Sequence, residues 1–123
     1  MHADELSWED ALAHLRHEYG HYAWVHTVNN AAVVAAGLLW GEGSYLAAVS
    51  RTVMSGWDTD SNGATVGSVA GILAGTAGLP AHLVDPLHDR TRSALFGFDR
   101  SSISELAART HSLAVGGLGG ARD

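Results

Sequence analysis

Cysteine is absent from the 123-residue chain. A disulfide scaffold, a thiolate zinc site and a cysteine nucleophile are thereby excluded, while the compartment is left open. Lysine is absent too, and all seven basic residues are arginine. With a net charge of -6 and no basic stripe, the chain lacks the clustered positive charge that binding nucleic acid requires. Arg90 and Arg92 stand close enough to form a small anion-binding spot and no more. Long hydrophobic runs are also missing. Residues 31–40 are too few to span a bilayer, and residues 63–84 are diluted by Gly, Thr, Ser, Pro and His. Residues 1–8 are acidic and polar, unlike a signal peptide. A soluble cytoplasmic protein with neither a membrane nor a nucleic-acid partner is expected.

What is present is a hydrophobic fraction of 46%, drawn mainly from Ala, Val and Leu and accompanied by abundant Gly. Such a chain builds its core by close approach of slim elements, as one domain or a piece of a larger one. The pattern is helical nearly throughout. Ser7 is a good N-cap for a first helix, with Glu9 and Asp10 in its first turn, Leu12, Leu15 and Tyr19 on one face and Gly20 as its stop. A second helix fits residues 28–40, apolar on nearly all sides and so expected in the interior. A third fits residues 45–54, capped by Ser44, with Leu46, Val49 and Val53 on one face. A fourth is expected to begin near Ser61 and end at Gly78. Its Gly63, Gly67, Gly71 and Gly75 fall every fourth residue, which strips one face for a close neighbour. Residues 86–95 and 102–115 are the last helix candidates, the second with a capping box of Ser102 and Glu105. Residues 116–123 read as a flexible tail. No strand-period segment of any length occurs, and the expected fold class is all-α.

Between two apolar helices lies the polar run Gly56-Trp57-Asp58-Thr59-Asp60-Ser61-Asn62-Gly63. Asp58 and Asp60, with the Ser61 hydroxyl beside them, form a hard oxygen cluster suited to Mg²⁺ or Mn²⁺. The competing reading, equally weighted on spacing alone, makes the carboxylates solvated caps of the next helix.

Two other metal patterns fail on inspection. Asp58, Asp60, Asn62 and Gly63 match the start of an EF-hand calcium loop, but Val69 stands where a bidentate Glu is needed. His17-Glu18-Tyr19-Gly20-His21 matches the zinc-peptidase pattern H-E-x-x-H. Gly20 weakens the helix that this chemistry needs, and Trp24 and Thr27 occupy the Gly and third His positions of the extended motif. Eight His in a short chain make a chance match easy. His26, next to Asn29 and Asn30, reads as a core histidine before a polar site residue.

Taken together, residues 53–64 resemble the C-terminal metal motif of the ADP-ribosylglycohydrolase family, usually Gly-Gly-Asp-Thr-Asp-Thr before a small-residue helix. Residues 71–75 and 78–80, and upstream residues 25–32 and 40–43, resemble the same family, as does Phe96-Gly97-Phe98-Asp99-Arg100. The resemblance covers most of the chain. It implies a multi-helix orthogonal bundle of ADP-ribosylglycohydrolase type, of which residues 1–115 would be the C-terminal part. It also implies two divalent cations, Mg²⁺ or Mn²⁺, and hydrolysis of the bond joining ADP-ribose to a protein side chain or a small acceptor. By position, Asp58, Asp60 and Ser61 would be metal ligands. Ser61 stands for the usual Thr, Trp57 stands for the second Gly, and Asp58 or Asp60 would take a proton from the attacking water.

The family's Thr-Asp-Asp ligand cluster has no counterpart in these residues. Three donors do not fill even one octahedral shell. The expectation is an incomplete site, inactive alone, calling for a complementing N-terminal chain or self-association through uncovered helix faces. A reading of another class is a non-enzymatic helical association module built on the Gly stripe.

Overall fold

The computed structural model describes residues 6–119, and it is all-α: six helices and one pair of two-residue strands. The chain divides into two compact units, Met1–Leu79 and Pro80–Asp123.

The first unit holds α1 (Trp8–Tyr19), α2 (Thr27–Trp40), α3 (Tyr45–Met54) and α4 (Thr59–Gly78). α1 starts as its sequence dictates, the Ser7 hydroxyl accepting from the Asp10 N–H at 3.1 Å. Ala11 of α1 packs with Ala36 and Trp40 of α2, and the Trp40 indole donates to the Leu6 carbonyl at 2.9 Å. Ser44 caps α3 by accepting from the Ala47 N–H. α2 is not an interior helix. It buries Val33, Ala36, Gly37 and Trp40, while Val28 and Leu39 stay exposed. Its uniform apolarity hid which face packs.

The closest approach is also not the expected one. A Cβ on Gly37 would overlap the Thr52 hydroxyl, and one on Gly41 would lie 2.6 Å from the Ala48 Cβ. α2 and α3 thus meet through Gly37, Gly41, Ala48 and Thr52, whereas Leu46 and Val53 of α3 are exposed. Thr52 is fully buried and satisfies its hydroxyl on the Ala48 carbonyl at 2.8 Å. On α4 the Gly stripe meets the large side chains of α3: Gly63 faces Val53, and Gly67 faces Tyr45 and Val49. Val66, wholly buried on α4, joins Ala48 and Ala70 in the core there, a burial that contributes about 1.5–3 kcal/mol. Gly75 leaves the stripe altogether. Its φ of 64° and ψ of 171° break the helix, a conformation open essentially to glycine alone.

In the second unit α5 (Ala81–Val84) runs into a single 3₁₀ turn at Asp85–Leu87. The helix expected over residues 86–95 does not form. His88 and Asp89 turn left-handed, with φ of 48° and 54°, and Arg90–Thr91 then becomes β1. β1 pairs antiparallel with β2 (Ser101–Ser102), Arg90 opposite Ser102. α6 (Ile103–Gly119) follows and is capped by Ser102, which accepts from the Glu105 N–H at 3.1 Å. α6 runs on past Val115 to Gly119, so residues 116–119 are helical, and residues 120–123 lie outside the described ones. Among the described residues no single helix is long and apolar enough to cross a membrane.

Candidate functional site

The run 56–63 folds as a bend that delivers α4. Gly56 takes φ 81° and Trp57 φ 58°, two left-handed residues in succession. For a residue with a Cβ this is strained, which accounts for a glycine being the usual occupant of the Trp57 position in the motif it resembles. Arg16 of α1 holds the bend from outside. Its guanidinium donates to the Ser55 carbonyl at 2.5 Å and lies 5.7 Å from the centre of the Trp57 ring.

Asp58 occupies the N-cap position of α4, with φ -85° and ψ 73°, and its side chain makes no capping hydrogen bond. Asp58 thus makes no side-chain cap, while Asp60 lies in the first turn of α4, where the helix dipole favours a carboxylate. The Asp58 carboxyl lies instead within hydrogen-bonding reach of Asp60. The Asp60 carboxyl is held below the ordinary aspartate range, first by that bond to Asp58 and then by the N–H groups of Ser61 and Asp60 itself. Adjacent ionised carboxylates repel, and a cation is one relief of that repulsion. Among the described residues the one ion pair is Arg92–Asp99, so no arginine neutralises Asp58 or Asp60.

Asp58 and Ser61 line an open cleft of about 500 Å³ between α2 and α4, whose walls include Asn30, Val34, Leu38 and Thr65. Asp60 is exposed beside it. The donor set therefore fits one side of a hard divalent cation: two carboxylates and a hydroxyl, uncommitted to a basic partner. No group of three or more His, Asp or Glu side chains able to hold a metal occurs among the described residues. Any further ligands would have to come from water, substrate or protein beyond these three.

The other candidates fall apart in space. α1 ends at Tyr19 with Gly20 as its C-cap, so His21 lies beyond the helix that carries His17 and Glu18, and the zinc-peptidase pattern loses its shared face. His26 is not a core histidine. It is exposed, caps α2 by accepting from the Val28 N–H at Nδ1, and stacks on Tyr22 at 4.3 Å. In the second unit Arg90 and Arg92 are joined by Arg100 around an open surface depression, with Arg92 bound to Asp99 at 2.6 Å.

Sequence reasoning passed over Asn30. It is buried at 8% exposure, and its Oδ1 accepts from the Asp58 N–H at 3.1 Å and from Asn62 Nδ2 at 2.6 Å. The sequence signals were the polar Asn29-Asn30 pair in the apolar α2 and the place of Asn30 within residues 25–32 of the family resemblance.

Comparison with known proteins agrees with the motif. No curated protein and no solved structure matches the chain. A family model described as ADP-ribosylglycohydrolase matches residues 2–117, nearly the whole chain, and with the all-α architecture and the Asp58–Ser61 bend in place, the chain belongs to the ADP-ribosylglycohydrolase family.

Proposed function

We propose that the chain supplies one half of a divalent-metal centre, Asp58, Asp60 and Ser61, to a hydrolase that cleaves ADP-ribose from a protein side chain or a small acceptor. The observation that carries this is the pair of adjacent carboxyl groups, neither bound to an arginine and Asp58 not used as a cap. Asp58, Asp60 and Ser61 would hold a Mg²⁺ or Mn²⁺ ion, with Asp58 and Ser61 on the wall of the cleft. When bound, the cations supply charge stabilisation as the glycosidic bond breaks. The residues of this chain do the rest: Asp58 or Asp60 accepts a proton from the attacking water, and Val34 and Leu38 form part of the apolar cleft wall.

Donor counting makes the centre incomplete. Two octahedral cations need about twelve oxygens between them, and three side chains of this chain are on hand. The remaining donors come from water, substrate and a further protein segment or a complementing chain. Exposed apolar side chains on α4, Ile72 at 83% and Leu73 at 76%, favour such protein cover or self-association.

Titration calorimetry with Mn²⁺ tests the assignment. A binding response lost in both Asp58→Ala and Asp60→Ala is expected, and a response that both variants retain sinks it. Release of ADP-ribose by the chain alone at the rate of a complete enzyme would overturn the half-site reading.

A further inference from the structure

The bend that carries Asp58 is tied to α2 by one side chain. Asn30 uses its whole hydrogen-bonding capacity: Nδ2 donates to the Trp24 and His26 carbonyls, both at 2.8 Å, while Oδ1 accepts from the Asp58 N–H and from Asn62 Nδ2. Its partners allow one orientation only. A flipped amide would set its NH₂ against two donors and its oxygen against two carbonyls. Asn62 is itself buried at 4% exposure in the first turn of α4. A single buried oxygen therefore fixes both the residue before α4 and the first turn of α4.

The consequence falls on Asp58. An N-cap side chain ordinarily turns back onto the N–H groups of the first turn, with its backbone extended. Here the Asp58 N–H is bound to Asn30, ψ is 73°, and the carboxyl makes no bond to the helix end. We propose that Asn30 is a positioning residue for the metal-binding bend: it holds Asp58 out of its capping conformation, so that the carboxylates of Asp58 and Asp60 are set for a cation before one arrives. The inference rests on the metal reading above. Groups that orient metal ligands without touching the metal are worth about 10–100-fold in affinity.

Paramagnetic broadening of amide signals by Mn²⁺ in the isotope-labelled full chain separates the possibilities. In the wild type the signals of residues 58–61 broaden first, and Asp58→Ala removes this. If Asp58→Ala leaves the broadening unchanged, the metal reading fails, whatever Asn30 does. If Asp58→Ala removes it and Asn30→Ala, still folded by its signal dispersion, shifts the Mn²⁺ midpoint about tenfold upward, the positioning role stands. An unchanged midpoint in folded Asn30→Ala overturns that role and leaves the metal site intact, because an amide that serves folding alone does not alter affinity among folded molecules. Should Asn30→Ala not fold, Asn62→Ala decides. It removes one of the two arms, and a midpoint shift of about threefold, the weight of one neutral hydrogen bond, is expected. No shift there overturns the proposal.

Discussion

Asn30 in Met1–Leu79 and Asp89 in Pro80–Asp123 each gather hydrogen bonds from residues distant in sequence, but in opposite surroundings. Asn30 is buried and neutral, and it joins Trp24, His26, Asp58 and Asn62. Asp89 is exposed and ionised. Its Oδ1 accepts from the Ser104 N–H at 2.8 Å, and its Oδ2 accepts from the hydroxyls of Ser102 and Ser104. The choice of group follows from solvation. A buried carboxylate would need a compensating charge, whereas an amide needs only partners. At the exposed start of α6 a carboxylate stays hydrated and also favours the helix dipole. Every buried residue described belongs to the first unit, which is set by packing and geometry, while the second is set by a few surface charges. Outside the Asp58–Asp60 bend, the first unit should therefore answer to shape, and the second to pH.

Gly37→Ala tests the first half with the largest expected effect. The added methyl overlaps the Thr52 hydroxyl, and that hydroxyl has no free space because it is buried and bound to Ala48. Overpacking of this kind costs about 1–3 kcal/mol, which thermal unfolding followed by circular dichroism resolves. A loss below this range would show that α2 and α3 can shift apart, and that the first unit is not governed by close fit.

Acid tests the second half. The Asp89 carboxyl is held below the ordinary aspartate value of 3.8, chiefly by the Ser102 hydroxyl and then by the N–H and hydroxyl of Ser104. A carboxyl depressed on folding contributes stability that is fully present above its unfolded pKa and is lost as pH falls through its folded one. The amide signal of Ser104 should therefore move on acidification below about pH 4 as the start of α6 loosens. Asp89→Asn should show the loosening already at neutral pH. The amide of Thr52, buried where α2 meets α3, should not follow this titration. A Thr52 signal that tracks the Asp89 titration would break the contrast.

Most helices and several of their caps were legible in the residues. Ser7, Ser44 and Ser102 cap the helices their positions announced, because capping is a local matter of one side chain and the next turn. The partner of each face was not legible. In α3 the larger residues, Leu46, Val49 and Val53, carry the visible pattern, yet Ala48 and Thr52 face α2, since tight approach is bought with small side chains. Residues 86–95 mislead for a related reason: the left-handed pair His88 and Asp89 is stabilised by a carboxylate that reaches Ser104, fifteen residues on, and no local window contains that contact. At the site, the oxygen donors Asp58, Asp60 and Ser61 were visible as chemistry. Asn30 was not, because its role exists only once α2 and α4 are side by side.

Gly71→Ala bears on the stripe that the sequence made prominent. A Cβ there would meet Tyr45 and Leu79 at 3.8 and 3.9 Å, ordinary contact distances. The alanine should gain about 0.5–1 kcal/mol of helix stability, seen as a higher melting temperature. Destabilisation would mean that α4 needs a bare face at this position, as α2 does at Gly37.

The smallest effect is the most telling about the bend. If Asp58 were a helix cap, Asp58→Ala would cost what Ser44→Ala should cost at the start of α3, about 0.5–2 kcal/mol. Its side chain caps nothing. Removing it should leave the melting temperature unchanged or slightly raised, within about 0.5 kcal/mol. The same substitution should abolish the Mn²⁺ response. Function and stability then separate at one residue, as expected where a carboxylate is held in place for a ligand and not for the fold. A melting point that falls as far as that of Ser44→Ala would return Asp58 to the role of a cap, and the bend would lose its claim to be a site.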